Sequence, residues 1–189
     1  AYDAVLSKEA PRLIGPTFAL LRPEFAALRA TSLARQRDPV RRILITMGGV
    51  DAGNVTGMFL DKLTGRDFAL TAVIGAASPH IASLADQVAA LPDARLIVNA
   101  PDMATLMAEA DLCIGAAGST AWERCALGLP ALTVVLAENQ ETVAHGLEAS
   151  GAARTIQPSI SAADLFALIR TLDVKAMSDA ASALSDGKG

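Results

Sequence analysis

Six short apolar runs recur along this chain, and none of them alternates apolar with polar residues. They are Ile43–Met47, Ala69–Ile74, Arg95–Asn99, Leu112–Gly115, Ala131–Leu136 and Ala153–Ile156. A strand with one wet face alternates, whereas a strand covered on both faces has no polar side to show. Covering both faces takes helices, and joining parallel strands takes crossovers long enough to hold them. Amphipathic stretches of that length lie between the runs, near Asn54–Leu63, Pro79–Leu91, Met103–Glu109, Ser119–Leu127 and Glu141–Ala149. A last pair follows near Ala162–Thr171 and Val174–Leu184. The expected fold is α/β: a Rossmann-like parallel sheet flanked by helices.

Composition narrows what such a sheet does. The chain has 189 residues and is 52% hydrophobic but only 4% aromatic, so a sizeable core is expected from Ala, Leu, Val and Ile. A net charge of −4 argues against a nucleic-acid partner, which would need a basic face for its phosphates. The two cysteines, Cys113 and Cys125, have no His or Cys cluster around them and read as buried reduced thiols, which fits a cytoplasmic setting. Ala1-Tyr2-Asp3 lacks the basic start and apolar run of a signal peptide. No apolar stretch approaches the ~20 residues of a membrane helix, so no membrane span is expected. The first residue is not Met, and 1–15 reads like the tail of a preceding segment. Ala10–Pro16 looks like a short strand ended by Gly15-Pro16, and Pro23 opens a helix to about Ala34 with Phe25, Leu28 and Leu33 as its apolar positions. Arg35–Arg42, broken by Asp38-Pro39, reads as a hinge.

In open parallel sheets ligands sit outside the carboxyl ends of the strands. Five loops at those ends have unusual composition: Gly48–Asn54, Gly75–Pro79, Ala100–Met103, Gly115–Thr120 and Ala137–Glu141. In the fourth, Gly118, Ser119 and Thr120 open a helix, where backbone N–H groups and hydroxyls would meet a diphosphate. Glu123 follows Ser119 by one helical turn, where a carboxylate could accept the hydroxyls of a ribose. Each residue also has a plainer reading: Ser119 as an N-cap, Glu123 as a dipole partner worth ~0.3–1 kcal/mol, Arg124 as a surface charge. Gly48 and Gly49 would let backbone approach a ligand, or simply make a tight turn capped by Asp51 or Asn54. Neither a G-x-G-x-x-G nor a P-loop spacing is present. Asn99-Ala100-Pro101-Asp102-Met103 is either an ordinary helix start or a shelf where backbone at Ala100 and its neighbours pairs with a pyrimidine. His80 and His145 stand alone and read as structural; no Ser/His/Asp set or metal cluster can be assembled.

The stretch Gly115-Ala116-Ala117-Gly118-Ser119-Thr120-Ala121-Trp122-Glu123-Arg124-Cys125-Ala126-Leu127-Gly128-Leu129-Pro130, followed by Ala137-Glu138-Asn139-Gln140, resembles the carboxyl-terminal domain of the nucleotide-sugar hydrolases of pseudaminic acid biosynthesis. Gly15-Pro16-Thr17-Phe18-Ala19-Leu20-Leu21-Arg22-Pro23-Glu24-Phe25 and Ile45-Thr46-Met47-Gly48-Gly49-Val50-Asp51 agree with it. More distantly the chain is similar to MurG-type glycosyltransferases. The resemblance implies the carboxyl-terminal half of a GT-B fold, with 1–34 as remnant and linking helix, 35–42 as hinge and 43–189 as the UDP-sugar-binding domain. It implies hydrolysis that releases UDP from a diacetamido-trideoxy-hexose. Gly118, Ser119 and Thr120 would hold the diphosphate, with Gly48, Gly49 and Asp51 in the facing loop. Glu123 would bind the ribose, backbone around Ala100 and Met103 the uracil, and Asn139 and Gln140 the sugar, with Asn139 nearest the chemistry. The water-activating histidine of that family lies in a glycine-rich loop of an amino-terminal domain absent from this chain, so these residues alone are expected to bind UDP-sugar without hydrolysing it. No metal or cofactor is expected, because no Asp-x-Asp motif is present. The competing readings are a GT-B glycosyltransferase, a UDP-sugar epimerase, a non-catalytic sugar-nucleotide-binding module, and a Rossmann domain for some other ligand.

Overall fold

The computed structural model describes residues 15–188. The strands are β1 (Arg42–Thr46), β2 (Ala69–Ile74), β3 (Ala94–Val98), β4 (Leu112–Ala116), β5 (Ala131–Val134) and β6 (Ala153–Ile156). They form one six-stranded sheet in the order β3-β2-β1-β4-β5-β6, with every neighbouring pair parallel. The helices are α1 (Pro23–Leu33), α2 (Val55–Leu63), α3 (Ile81–Ala89), α4 (Met103–Glu109), α5 (Thr120–Ala126), α6 (Glu141–Ala149), α7 (Ala162–Thr171) and α8 (Val174–Leu184). The proposed short strand at Ala10–Pro16 lies largely outside the described residues, and Pro16–Phe18 forms a single 3-10 turn.

The unalternating runs have their expected cause. Along β1, Ile43 and Ile45 enter one core cluster while Leu44 enters the other. Strand β4 repeats this with Leu112 and Ile114 on one side and Cys113 on the other. The two layers differ in bulk. One packs Phe59, Leu60, Leu63, Leu84, Leu165 and Ile169 against the sheet. The other brings Ala104, Ala121, Cys125, Ala126 and Ala181 up to Cys113, Ala131 and Ala153. Small side chains there let helices approach the sheet closely and leave room for one large polar residue, Arg124.

The connector after α1 is tied to the body. Arg35 donates to Ala108 O and Ala110 O and pairs with Asp111. Arg37 is buried and donates to Ser32 O at 2.9 Å, Ser32 Oγ at 2.7 Å and Leu127 O at 3.2 Å. Burial, helped by the neighbouring Arg35 charge, pulls its guanidinium down to about 10.

The order reverses between β1 and β4, with β2 and β3 on one side and β5 and β6 on the other. Loops leaving adjacent strands at such a reversal turn to opposite faces and open a crevice at the carboxyl edge. The loops that meet there are those holding Gly48-Gly49 and Gly118-Ser119.

Candidate functional site at the strand-order reversal

Three loops on the β1 side are latched together by one backbone bond and two side-chain contacts. Gly75 N donates to Gly49 O at 3.1 Å. A Cβ at Gly75 would stand 2.4 Å from that oxygen, so only glycine permits the approach. Asn99 takes φ 52°, and its Oδ1 accepts from Ala76 N at 2.8 Å. His80 Nε2 lies 3.0 Å from Ala52 O, which makes that nitrogen the donor. The lone histidine thus has a structural partner. His145 is exposed on α6.

Asp51 takes the capping role that the sequence offered beside a ligand role. It is buried, and its two oxygens accept from Val55 N and Thr56 N at 2.9 Å each. Asn54 Oδ1 accepts from Gly57 N, so the first three amides of α2 all meet side-chain acceptors. Gly48, with φ 94°, and Gly49 stay exposed and free to present backbone.

The β4 side is built differently. Gly115 belongs to the strand rather than to the turn. A Cβ there would meet Arg124 Nη1 at 2.8 Å and Thr46 O at 3.0 Å, so glycine is needed for close packing. The turn proper is Ala117–Ser119. Ala121 N and Trp122 N donate to Gly118 O and Ser119 O, but Gly118 N, Ser119 N and Thr120 N meet no acceptor among the described residues. The Ser119 side chain makes no capping bond and is exposed.

Glu123 projects from the first turn of α5 with unequal oxygens. Oε1 accepts from Arg22 Nη2 at 3.1 Å. Oε2 is buried and bonded to nothing among the described residues. A buried carboxylate oxygen without a donor carries its desolvation cost uncompensated, which marks a place where a donor belongs. Arg22 stands just before α1, and nothing in its sequence setting beyond the matching Leu21-Arg22-Pro23 phrase signals this contact. It also approaches Glu24 at 3.3 Å and lies over the Phe25 ring at 5.1 Å.

Arg124 is not the surface charge its sequence setting suggests; only 1% of it is exposed. Its Nη2 donates to Ala116 O at 3.0 Å, and Nη1 has no partner among the described residues. The signal was present in spacing, since Arg124 falls three residues after Ala121 and beside Cys125, on the face that packs inward. The thiols behave as the sequence suggests: both are free and buried. Burial pushes Cys125 up to about 11 and also raises Cys113, with Arg124 opposing each shift, so neither is a thiolate nucleophile near neutrality.

The remaining candidates line the same edge. Asp102 caps α4, accepting from Thr105 N at 2.9 Å, and the Thr105 side chain first and this backbone bond second hold its carboxyl below the usual range. Ala100 and Met103 flank it, half-buried against the second core cluster. Glu138–Gln140 forms a 3-10 turn. Gln140 Oε1 accepts from Leu136 N at 3.0 Å, which shapes the loop. Asn139 is exposed on it. A hollow of about 320 Å³ lies at the opposite, amino edge of the strands, lined by Arg42, Thr71, Arg95 and Glu109 among others. No group of three or more metal-ligating side chains occurs among the described residues, and none of their helices is long and apolar enough to cross a membrane.

A parallel sheet whose strand order reverses between β1 and β4, with helices on both faces, defines the class of doubly wound, Rossmann-like α/β domains. The comparisons sharpen this: residues 60–186 match the glycosyltransferase family 28 C-terminal domain, and the chain belongs to that family. It is 31% identical over 143 residues to the spore coat polysaccharide biosynthesis protein SpsG of Bacillus subtilis, covering 74% of this chain and 42% of SpsG. The chain therefore spans less than half of that relative. Among solved structures, MurG of Acinetobacter baumannii superposes with a TM-score of 0.64 at 22% identity, over 93% of this chain and 52% of MurG. The spinosyn rhamnosyltransferase SpnG complexed with thymidine diphosphate gives 0.65 at 24% identity, over 98% of this chain and 50% of SpnG. These two likenesses establish the fold, that of the carboxyl-terminal half of GT-B glycosyltransferases.

Proposed function

We propose that this domain holds the nucleoside diphosphate of a sugar nucleotide at the carboxyl ends of β1 and β4. The observation that carries the reading is Glu123 Oε2, buried without a donor one turn beyond three open amides. The amides of Gly118, Ser119 and Thr120 would take the diphosphate, with Gly48 and Gly49 approaching from the facing loop. Glu123 would accept from the ribose hydroxyls through Oε2 while Arg22 holds Oε1. Backbone at Ala100 and Met103 would meet the base, and Asn139 would face the sugar. UDP is the proposed nucleotide. The thymidine diphosphate in SpnG suggests the alternative, and the two differ at the 2′-hydroxyl that a ribose-binding carboxylate reads.

For the whole protein we propose hydrolysis of a UDP-linked diacetamido-trideoxy-hexose in the cytoplasm, without a required metal. The bond from the anomeric carbon to the diphosphate breaks with its electron pair leaving on the phosphate oxygen. Water attacks the carbon and gives its proton to a base. Amides preorganised around the departing diphosphate would stabilise the charge it gains. Neither His80, bonded to Ala52 O, nor the exposed His145 is placed as that base, so we assign it to an amino-terminal domain of the full protein. The family membership favours a second reading, in which a sugar hydroxyl replaces water.

Calorimetry with UDP, thymidine diphosphate, ADP and GDP, with and without Mg²⁺, tests the binding reading. UDP-selective and metal-independent binding is expected. Equal affinity for all four, or none for any, would overturn it. Full-length protein incubated with the UDP-sugar then separates hydrolysis from transfer by whether UDP appears without an added acceptor.

A further inference from the structure

The body of the domain carries one fully buried guanidinium for which the roles above give no use. Arg124 lies beneath the end of β4, in the layer of small side chains formed by Ala121, Cys125, Ala126 and Cys113. Near it lie Ala116 O, which accepts from Nη2, the Thr46 carbonyl packed at the same point of Gly115, and the neutral Cys113 thiol. No carboxylate of the described residues lies within ion-pairing distance. A charge buried in this way costs far more than one paired in place, and an arginine does not escape by losing its proton. Arg37, also buried without an ion pair, places both terminal nitrogens on Ser32 and Leu127 oxygens, whereas Arg124 leaves Nη1 with no acceptor among the described residues, an opening that an anion from outside would compensate. Two features say where it arrives. Arg124 packs on Gly115 so closely that a Cβ would collide with it, and it holds the carbonyl of Ala116, the last residue before the turn with open amides.

We infer that Arg124 is a positioning residue: a fixed positive charge under the Ala117–Ser119 turn whose missing counter-charge is the diphosphate of the bound nucleotide. It makes no contact with the ligand. It sets the turn through Gly115 and Ala116 and biases it electrostatically for an anion. The inference rests on the nucleotide reading above for its ligand, and the probes keep the two apart.

The test compares wild type with Arg124→Met, Arg124→Gln and Arg124→Lys. Calorimetry is run with UDP and with uridine, and thermal unfolding with inorganic pyrophosphate against sodium chloride of equal ionic strength. The neutral variants are expected to lose at least tenfold in UDP affinity and less than twofold for uridine. Lysine should keep UDP affinity within about threefold of wild type. Pyrophosphate should raise the melting temperature of wild type above the chloride control, and not that of the neutral variants. A folded neutral variant that binds UDP within twofold of wild type overturns the inference, as does equal loss of UDP and uridine. If neither neutral variant folds while the lysine variant does, Arg124 serves the fold alone and the inference falls. A wild type that responds to pyrophosphate but binds no nucleoside diphosphate overturns the nucleotide reading and leaves the anion seat standing.

Discussion

The two strand-to-helix junctions at the order reversal carry similar residues and use them in opposite ways. After β1, Asp51 and Asn54 turn inward and close the start of α2, so that Val55, Thr56 and Gly57 amides all have acceptors. After β4, Ser119 caps nothing, Glu123 Oε2 has no donor and three amides have no acceptor among the described residues. A junction whose polar groups satisfy one another contributes to stability. A junction that leaves them open pays for it in stability and has something left to offer a ligand. Two acids near two glycine turns look alike in a sequence, and only their partners separate the roles.

Exchanging each acid for alanine puts this contrast to the largest test. Asp51→Ala removes an ionised acceptor from two buried amides and should destabilise the fold by about 2–4 kcal/mol. For a domain of this size that lowers the melting temperature by roughly 5–12 °C. The folded protein should bind UDP within about threefold of wild type, because Gly48 and Gly49 act through backbone. Glu123→Ala should do the reverse. It removes an unsatisfied oxygen together with the part-screened Arg22 contact, so the melting temperature should fall by no more than about 4 °C, while UDP affinity falls by ~1.5–3 kcal/mol, the range of a hydrogen bond to a charged group. Matching losses of stability and affinity in both variants would erase the distinction between the junctions.

The sheet was legible because its cause is local. Unalternating runs such as Leu112–Gly115 state that both faces are covered, and the helices from Met103, Glu141, Ala162 and Val174 begin where the sequence placed them. The loops at the carboxyl edge followed from topology alone. What stayed hidden depends on partners distant in sequence. Gly115 could be placed at the end of a strand from sequence, but the reason it is glycine, the approach of Arg124 and Thr46 O, could not. Asp51 reads equally as a cap or a ligand residue until the amides of α2 are found on both its oxygens. The Arg22 contact to Glu123 spans 101 residues, beyond the reach of any spacing argument.

Arg22 gives the next smaller effect. Its side chain is 44% exposed and that of Glu123 14%, so the pair has part of its attraction screened and is worth about 0.5–1 kcal/mol at most. Arg22→Ala should therefore weaken UDP by no more than about fivefold through a less fixed Glu123 carboxylate. In calorimetry the loss should shrink as salt is raised, since screening removes from wild type what the substitution removes outright. A loss as large as that of Glu123→Ala would mean that Arg22 itself touches the ligand.

The smallest effect is a pH dependence, and it joins the same arginine to the loop beyond β3. Bonds from Thr105 lower the Asp102 carboxyl from its ordinary 3.8, first through the side chain and then the backbone, and the Arg22 charge lowers it further. A carboxyl depressed on folding contributes stability that is present above its unfolded value and is lost as pH falls through the folded one. The melting temperatures of wild type and Asp102→Asn should therefore differ by a constant amount above about pH 4 and converge below it. Asparagine keeps the cap to Thr105 N and removes only the charge, so the convergence reports the carboxylate itself. Repeating the titration on Arg22→Ala should shift the convergence to slightly higher pH. An unmoved convergence would place Arg22 at Glu123 alone and remove it as a link between the ribose carboxylate and the loop that meets the base.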